Sequence, residues 1–545
     1  MATNSGKDSS FSESSFGPLR HQVFAVLWAA TVIGNIGTFM RDVTSSWLMT
    51  ELASSPMAVA GLQAASTLPI FLLAIPAGVL SDILDRRRFL LFIQVLLMAV
   101  SLCLLALSAF SLQSVVSLIA LTFVGGVGGA LMAPTWQAIV PELVPKSDLR
   151  NAVALNSLGI NISRSIGPAL GGFVLAYLGA TVSYGVDIVT YLLTAAALIW
   201  WKRAAPESND LRESFSGAFR AGLRYAKASP ELHVVLLRAA VYFAFTSAIW
   251  ALLPLVARTL LGGDAGFYGV LLGAVGLGAI LGALVMPVLR KRLDADGMML
   301  LSAVIAACVM ALLALSPPQW LGIFLSLAMG AAWIAALTTL NATAQTILPN
   351  WVRGRSLAVY LTTFNGAMTF GSIAWGTIAE TLELQATLLI ASIGLVLTGF
   401  IFHRMKLPNG DTDLSPSDHW PEPLIATSVE GDRGPVLILV EYEIDPVDRR
   451  AFHNAASRLS GERRRDGAYA WGISEDVANP MRIIEWFLVE SWSEHLRQHH
   501  RVSKASADLQ VAVTAFHRGG NPPLVKHLLA LAAPDATPSK EVPNG

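Results

Sequence analysis

The sequence predicts an all-α polytopic membrane protein of twelve transmembrane helices in two six-helix pseudo-repeats, followed by a small C-terminal α+β domain of ferredoxin-like order. Three observations carry that prediction. Of 545 residues, 54% are hydrophobic and 14% charged, against about 25% charged in ordinary soluble domains. Apolar runs of about 20 residues, enough as helices to cross a hydrocarbon core ~30 Å thick, recur from Gln22 to Phe402. The two halves of that stretch also repeat each other. Shifted by 208 positions, Gly61 falls on Gly269, Gln137 on Gln345, Pro141 on Pro349 and Val144 on Val352. After a four-residue slip, Gly167 falls on Gly371 and Gly172 on Gly376.

Taken in order, residues 1–17 are Ser-rich without an apolar core, which predicts a disordered N-terminus rather than a cleavable signal. The first half (18–201) holds spans at 22–50, 57–80, 89–110, 113–139, 151–177 and 182–201. A charged loop (202–232) follows. Its "ESFSGAFRAGLRYAKAS" has helical apolar spacing and reads as a basic surface helix at the inner leaflet. The second half (233–405) holds spans at 233–257, 266–289, 297–315, 319–346, 356–379 and 385–403. Cys103 and Cys308 both fall inside spans and read as packing residues, not as a disulfide or metal pair.

Basic residues mark one side of the membrane. Connections after even-numbered spans hold Arg86 to Arg88, then Lys146 and Arg150, then Lys202, Arg203, Arg212, Arg220, Arg224 and Lys227. The pattern continues with Arg290, Lys291 and Arg292, then Arg353 and Arg355, whereas the odd-numbered connections hold only Arg258. Both termini are therefore expected in the cytoplasm. The formal net charge is zero, so bulk charge suggests no nucleic acid partner.

Past the spans, residues 406–433 form a Pro/Ser/Asp-rich linker, and 434–530 change character. "VLILVEYEI" alternates as a strand, "PVDRRAFHNAASRLSGERRR" reads as a helix, and "AYAWGISE" and "RIIEWFLVES" read as two strands. A second helix is expected over "SWSEHLRQHHRVSKASADLQVAVTAF", with room for a final strand, which makes a β-α-β-β-α order. The tail, 531–545, reads as disordered.

"GVLSDILDRRRFL" resembles the loop motif of the major facilitator superfamily, Gly-x-Leu-Ala-Asp-x-x-Gly-Arg-Lys, with Gly78, Leu80, Asp82, Arg86 and Arg87 on matching positions. Asp85 stands for the usual Gly, as in the branch of enterobactin-type siderophore exporters and macrolide-efflux-like proteins. "GPALGG" resembles the end of the superfamily's antiporter motif and assigns Gly167, Pro168, Gly171 and Gly172 to helix packing; its two upstream glycine positions hold Ala154 and Ser163. Two departures stand out. Thr122 occupies the place of the fourth-span Arg to which the superfamily assigns proton coupling. In the second half the loop motif has decayed, Gly78 mapping to Met286 and Asp82 to Arg290. The C-terminal "ESWSEHLRQHHRV" resembles the second-helix region of antibiotic-biosynthesis-monooxygenase-like domains, which often pair as dimers.

The candidate sites follow. Topology needs the cations Arg86, Arg87 and Arg88 but not Asp82. A carboxylate near Gly78 can hold a helix N-terminus or a facing Arg when the inside is closed, so Gly78, Asp82, Asp85 and the three arginines form the expected gate. Arg164 lies about 20 Å into span five at 1.5 Å per residue, on one helical face with Asn161. An ionisable group at such depth is functional by default. Asp42 and Asp187 are its candidate partners, and either is a candidate proton carrier, alternating between protonated and Arg-paired states. A structural ion pair is the alternative.

Asn35, Gln63, Trp136, Gln137, Asn161, Asn341, Gln345 and Asn365 are candidate cavity-lining groups, each alternatively an interhelical hydrogen bond. His495 and His499 share a helix face at i, i+4. No acidic or Cys ligand joins them at a telling spacing, so no metal site is expected, and no cofactor is implied. Together these features predict a secondary active transporter of a bacterial inner membrane carrying a hydrophobic or siderophore-like small molecule, with proton exchange expected; that it exports the solute is what the family resemblance alone implies. Its partners are membrane lipids, that solute and protons, with a homodimer through the C-terminal domain. The alternatives are an importer or drug pump of another class, a transporter fused to an enzyme that modifies the solute, and a membrane sensor.

Overall fold

The computed structural model describes residues 16–145, 147–202, 215–349, 351–410, 417 and 433–531. Most of the expected N-terminal segment, the 406–433 linker and the tail lie outside the described residues, as do Lys146, Arg203 and Arg212. The chain forms two compact units. One comprises Met1–Arg212, Val234–Ala344 and Leu357–Leu407; the other comprises Glu213–His233, Gln345–Ser356 and Pro408–Gly545.

In chain order the helices are α1 (Gln22–Leu52), α2 (Pro56–Ile83), α3 (Arg86–Ala109), α4 (Val115–Leu143), α5 (Leu149–Trp200), α6 (Phe215–Ala228) and α7 (Pro230–Leu255). They continue with α8 (Ala265–Leu289), α9 (Ala295–Ala314), α10 (Gln319–Thr346), α11 (Arg353–Leu382) and α12 (Leu384–His403). Among the described residues, ten helices are long and apolar enough to cross a membrane. α5 counts twice, because Gly179 takes φ +83° and breaks it into the expected fifth and sixth spans. α11, more polar through Arg353, Arg355 and Asn365, completes the twelve.

Within the bundle α1 packs on α5, α2 on α4, α3 on α5 and α9 on α12, while α5 packs on α8 across the halves. The glycines of "GPALGG" set these distances. A Cβ on Gly167 would stand 2.7 Å from Phe39 Cβ, and one on Gly171 would stand 2.7 Å from Met40 Cα, both on α1. A Cβ on Gly172 would stand 2.7 Å from Gly269 Cα on α8. One short motif thus lets α5 press against its own half and the opposite half through small residues. Cys103 and Cys308 are free and exposed on the surface of the bundle instead of packed.

The second unit is built on a four-stranded antiparallel sheet in the order β2-β3-β1-β4, with β1 Val436–Glu443, β2 Ala470–Glu475, β3 Arg482–Val489 and β4 Leu524–Leu529. This is the ferredoxin-like arrangement, final strand included. Val436, Ile438, Val440 and Tyr442 of β1 alternate into a core with Phe452, Leu459, Phe487, Val489 and Trp492. α13 (Arg449–Arg465) packs on α15 (Lys504–Thr514). The expected single second helix is two, α14 (Trp492–Arg501) and α15. The chain leaves helical geometry at Val502, and Ser503 caps the new helix by accepting from Ser506 N–H at 3.2 Å.

The basic helix α6 belongs to this unit. Arg224 reaches Glu490 at 2.6 Å and Glu494 at 3.5 Å. Arg465 reaches Glu231 at 2.8 Å. Arg501, paired with Glu494 at 2.6 Å, stacks on the Trp351 ring at 4.3 Å. The face read as lipid-directed is thus occupied, at Arg224, by carboxylates of the C-terminal domain.

Candidate functional site

A buried charge set sits between α1, α3 and the second segment of α5. Arg41 lies 3.0 Å from Asp42 and 3.8 Å from Asp187, and it donates to Tyr191 Oη at 3.0 Å. Ser101 Oγ donates to Asp187 at 2.6 Å, while the other Asp187 oxygen is buried without a partner. Small residues make room. A Cβ on Gly37 would stand 2.8 Å from Asp187 Oδ1, and one on Gly125 of α4 would stand 3.6 Å from the Arg41 guanidinium. The set carries one net negative charge with both carboxylates ionised and none when one is protonated. Asp187 is fully buried, whereas the Asp42 side chain is 49% exposed.

That exposure opens onto a cavity of about 270 Å³ between the halves. The first half contributes Asp42, Gln63 and Arg164 to its lining; the second contributes Trp250, Tyr268, Trp333 and Phe364. Trp333 packs against Trp250 at 4.8 Å and Phe364 at 6.1 Å between ring centroids, so one wall is a continuous aromatic surface. Beyond it the halves are joined. Thr67 bonds Thr369 at 2.7 Å, Ser55 donates to Glu380 at 2.7 Å, and Arg258 donates to the Thr50 carbonyl. These links lie toward the ends of α1, α2 and α11 that face away from the arginine-rich loops.

The loop motif is arranged differently from expectation. Asp85 caps α3, accepting from Arg88 N–H at 2.8 Å. Arg86 donates to the Ser81 and Ala138 carbonyls and pairs with Glu142 at 2.7 Å. Arg87 donates to the Leu198 and Ile199 carbonyls. All these partners are in the first half, and the Ser81, Leu198 and Ile199 carbonyls lie in the last turns of their helices, where cations are favoured. No described atom lies within 4 Å of where a Gly78 Cβ would stand, so no helix is packed there. Asp82 lies in the last turn of α2, and its side chain falls outside the described residues.

Among the described residues Arg164 makes no ion pair. The partner of Asp42 and Asp187 is Arg41, because it projects from α1 between them while Arg164 faces the cavity. The same depth argument that singles out Arg164 finds Arg41, a cation within an apolar span. Of the polar candidates, Gln63 lines the cavity. Trp136 is buried in the core with Phe24, Leu27 and Ile139, its indole donating to Asn156 at 2.7 Å. Asn161 and Asn365 donate to carbonyls of their own helices, Ser157 and Leu361. Asn35 and Asn341 are half-buried, and Gln137 and Gln345 exposed. The aromatic wall had no distinguishing signal, since Trp and Tyr are common throughout the spans.

Residues 13–535 match the model of the transmembrane secretion effector family. The chain belongs to that family. Relatives of the chain include a multidrug efflux pump of Mycolicibacterium fortuitum, 25% identical over 71% of this chain and 95% of the pump. The staphyloferrin A transporter of Staphylococcus aureus is 24% identical over 70% of this chain and 97% of its own. The enterobactin exporter of Salmonella typhimurium is 28% identical over 59% and 78%. Among solved structures, an inward-facing bacterial homologue of the lysosomal transporter Spinster superposes with a TM-score of 0.55 at 15% identity, over 71% of this chain and 97% of that one. A point mutant of a nucleoside transporter gives 0.59 at 11% identity, over 70% and 99%. The chain therefore has the major facilitator fold, and it is a multi-pass membrane transporter. A relative matched to 95% over 400 residues has no room for the additional sheet domain carried here.

Proposed function

We propose that the protein exports a compact hydrophobic or siderophore-like solute across the bacterial inner membrane by alternating access, in exchange for protons. One observation carries this reading: Asp42 belongs both to the cavity wall and to the buried Arg41–Asp187 set. A proton arriving on Asp42 neutralises the set and leaves Arg41 to Asp187; a solute entering the cavity competes for the same carboxylate. Proton and solute then exclude one another, which is what an exchanger requires. With the arginine-rich loops placed in the cytoplasm, the joined ends are the outer ones. The shape described is then the inward-facing state, loading solute from the cytoplasm, and Asp82 is free to engage the second half only after the inner ends close.

The test is transport in inverted vesicles, with and without a proton gradient. Wild type should accumulate substrate only with the gradient. Asp42→Asn should weaken solute binding and lose the gradient dependence; unchanged gradient dependence would remove the proton role. Size separates two solute classes suggested by the relatives. A cavity of about 270 Å³ is near the lower limit of ordinary small-molecule sites, ~300–1,000 Å³. Compact amphipathic dyes should therefore outcompete larger siderophores in this state. The uncovered sheet face of the C-terminal domain, with Leu437, Leu439, Trp486 and Leu488 in register, supports pairing of two copies, which cross-linking of the full chain in membranes would detect.

A further inference from the structure

We infer that His495, His499 and His527 form a binding site for a divalent transition-metal ion of the zinc class within the C-terminal domain. His495 and His499 lie one turn apart on α14, and β4, the edge strand next to β1, brings His527 to them. One ligating nitrogen from each ring lies within 4.8 Å of the others. The Nε2 atoms of His495 and His499 are 3.2 Å apart. Tetrahedral coordination at about 2.1 Å per imidazole places neighbouring nitrogens about 3.4 Å apart, so this pair already stands at ligand spacing. A rotation of the His527 ring, whose centroid is 4.7 Å from that of His495, supplies the third donor.

The surroundings suit neutral imidazoles. His495 is 1% exposed, and its Nδ1 makes no hydrogen bond. Gln498, one turn along and fully buried, turns its amide toward the His495 ring. A buried imidazole nitrogen without a partner is a group that a ligand would satisfy. Burial, and then the neighbouring His527 and His499, push His495 down to about 3; burial lowers His527 as well. Trp492, 5.5 Å from His495 and 6.1 Å from His527 between centroids, shields the cluster. The nearby Arg463 cation is already neutralised by Glu485 at 3.2 Å. Nitrogen-only donors select zinc, nickel, copper or cobalt over magnesium or calcium.

The experiment uses the untagged full chain in detergent, stripped with a chelator and titrated with Co²⁺. The wild type should bind one ion per chain and show the intense visible band of tetrahedral cobalt. His527→Gln and His499→Gln, at half-buried positions where folding is not at stake, should bind roughly 100-fold more weakly and lose the band. His453→Gln, on α13, should bind as wild type does. A chain that binds no cobalt, or that binds it equally well after His527→Gln, would show instead that the histidines hold one another by an N–H···N bond, and the proposal would fall.

Discussion

The two halves of the bundle descend from one repeat, yet they place their charges in different ways. The first half buries Arg41, Asp42 and Asp187 beside the cavity. The second keeps its buried pair between Arg238, two turns into α7, and Asp296, in the first turn of α9, where Asp296 also accepts from Leu407 N–H at 3.1 Å and pairs with Lys406 at 3.7 Å. Toward the cavity the second half offers Trp250, Tyr268, Trp333 and Phe364 instead. One half places charge at the cavity wall, and the other lines it with aromatic rings.

The sharpest way to break this comparison is to remove one arginine from each half. Arg41→Met leaves Asp187 buried without its cation, at a cost of about 3–5 kcal/mol. Transport should vanish and the melting temperature should fall. Arg238→Met should cost similar stability but leave any remaining transport fully dependent on the proton gradient. Loss of gradient dependence in the second variant would erase the distinction between the halves. Next in size, Trp333→Ala should weaken solute binding by roughly 10–100-fold through lost aromatic contact, ~1.4–3 kcal/mol. Its gradient dependence should persist, as read by transport at several external pH values.

The smallest effects concern the loop. Arg87→Gln removes charged hydrogen bonds to two carbonyls within the first half, about 1–2 kcal/mol, and should lower thermal stability with little change in turnover. Asp82→Asn should do the reverse, slowing transport at unchanged expression and stability. If both variants behave alike, loop and gate are not separable.

Much of this was legible in the residues. Apolar run lengths and charged connections gave twelve spans, and alternation in "VLILVEYEI" and "RIIEWFLVES" gave strands of the sheet. What failed was pairing. Span depth showed that Asp42, Asp187 and Arg164 are costly where they stand, but not which way each helix face turns, and Arg41 was the cation between the acids. Asn161 and Asn365 illustrate a related difficulty: a helix can satisfy an amide with its own carbonyls, so polarity alone does not mark a cavity. His527 was invisible to local spacing because a strand pairing, 28 residues beyond His499, brings it to α14.

The docking of α6 has a practical consequence. Glu490, Glu494 and Arg501 of the C-terminal domain satisfy Arg224 and cover Trp351, residues that lie in the connections leading into α7 and α11. Cutting the chain after Leu407 to obtain a minimal transporter would not simply subtract an accessory module. It would expose a cation and an indole in two loops of what remains, inviting aggregation or spurious attachment to acidic lipid. Charge-reversing Glu490 within the intact chain is the gentler way to learn what the appended domain contributes.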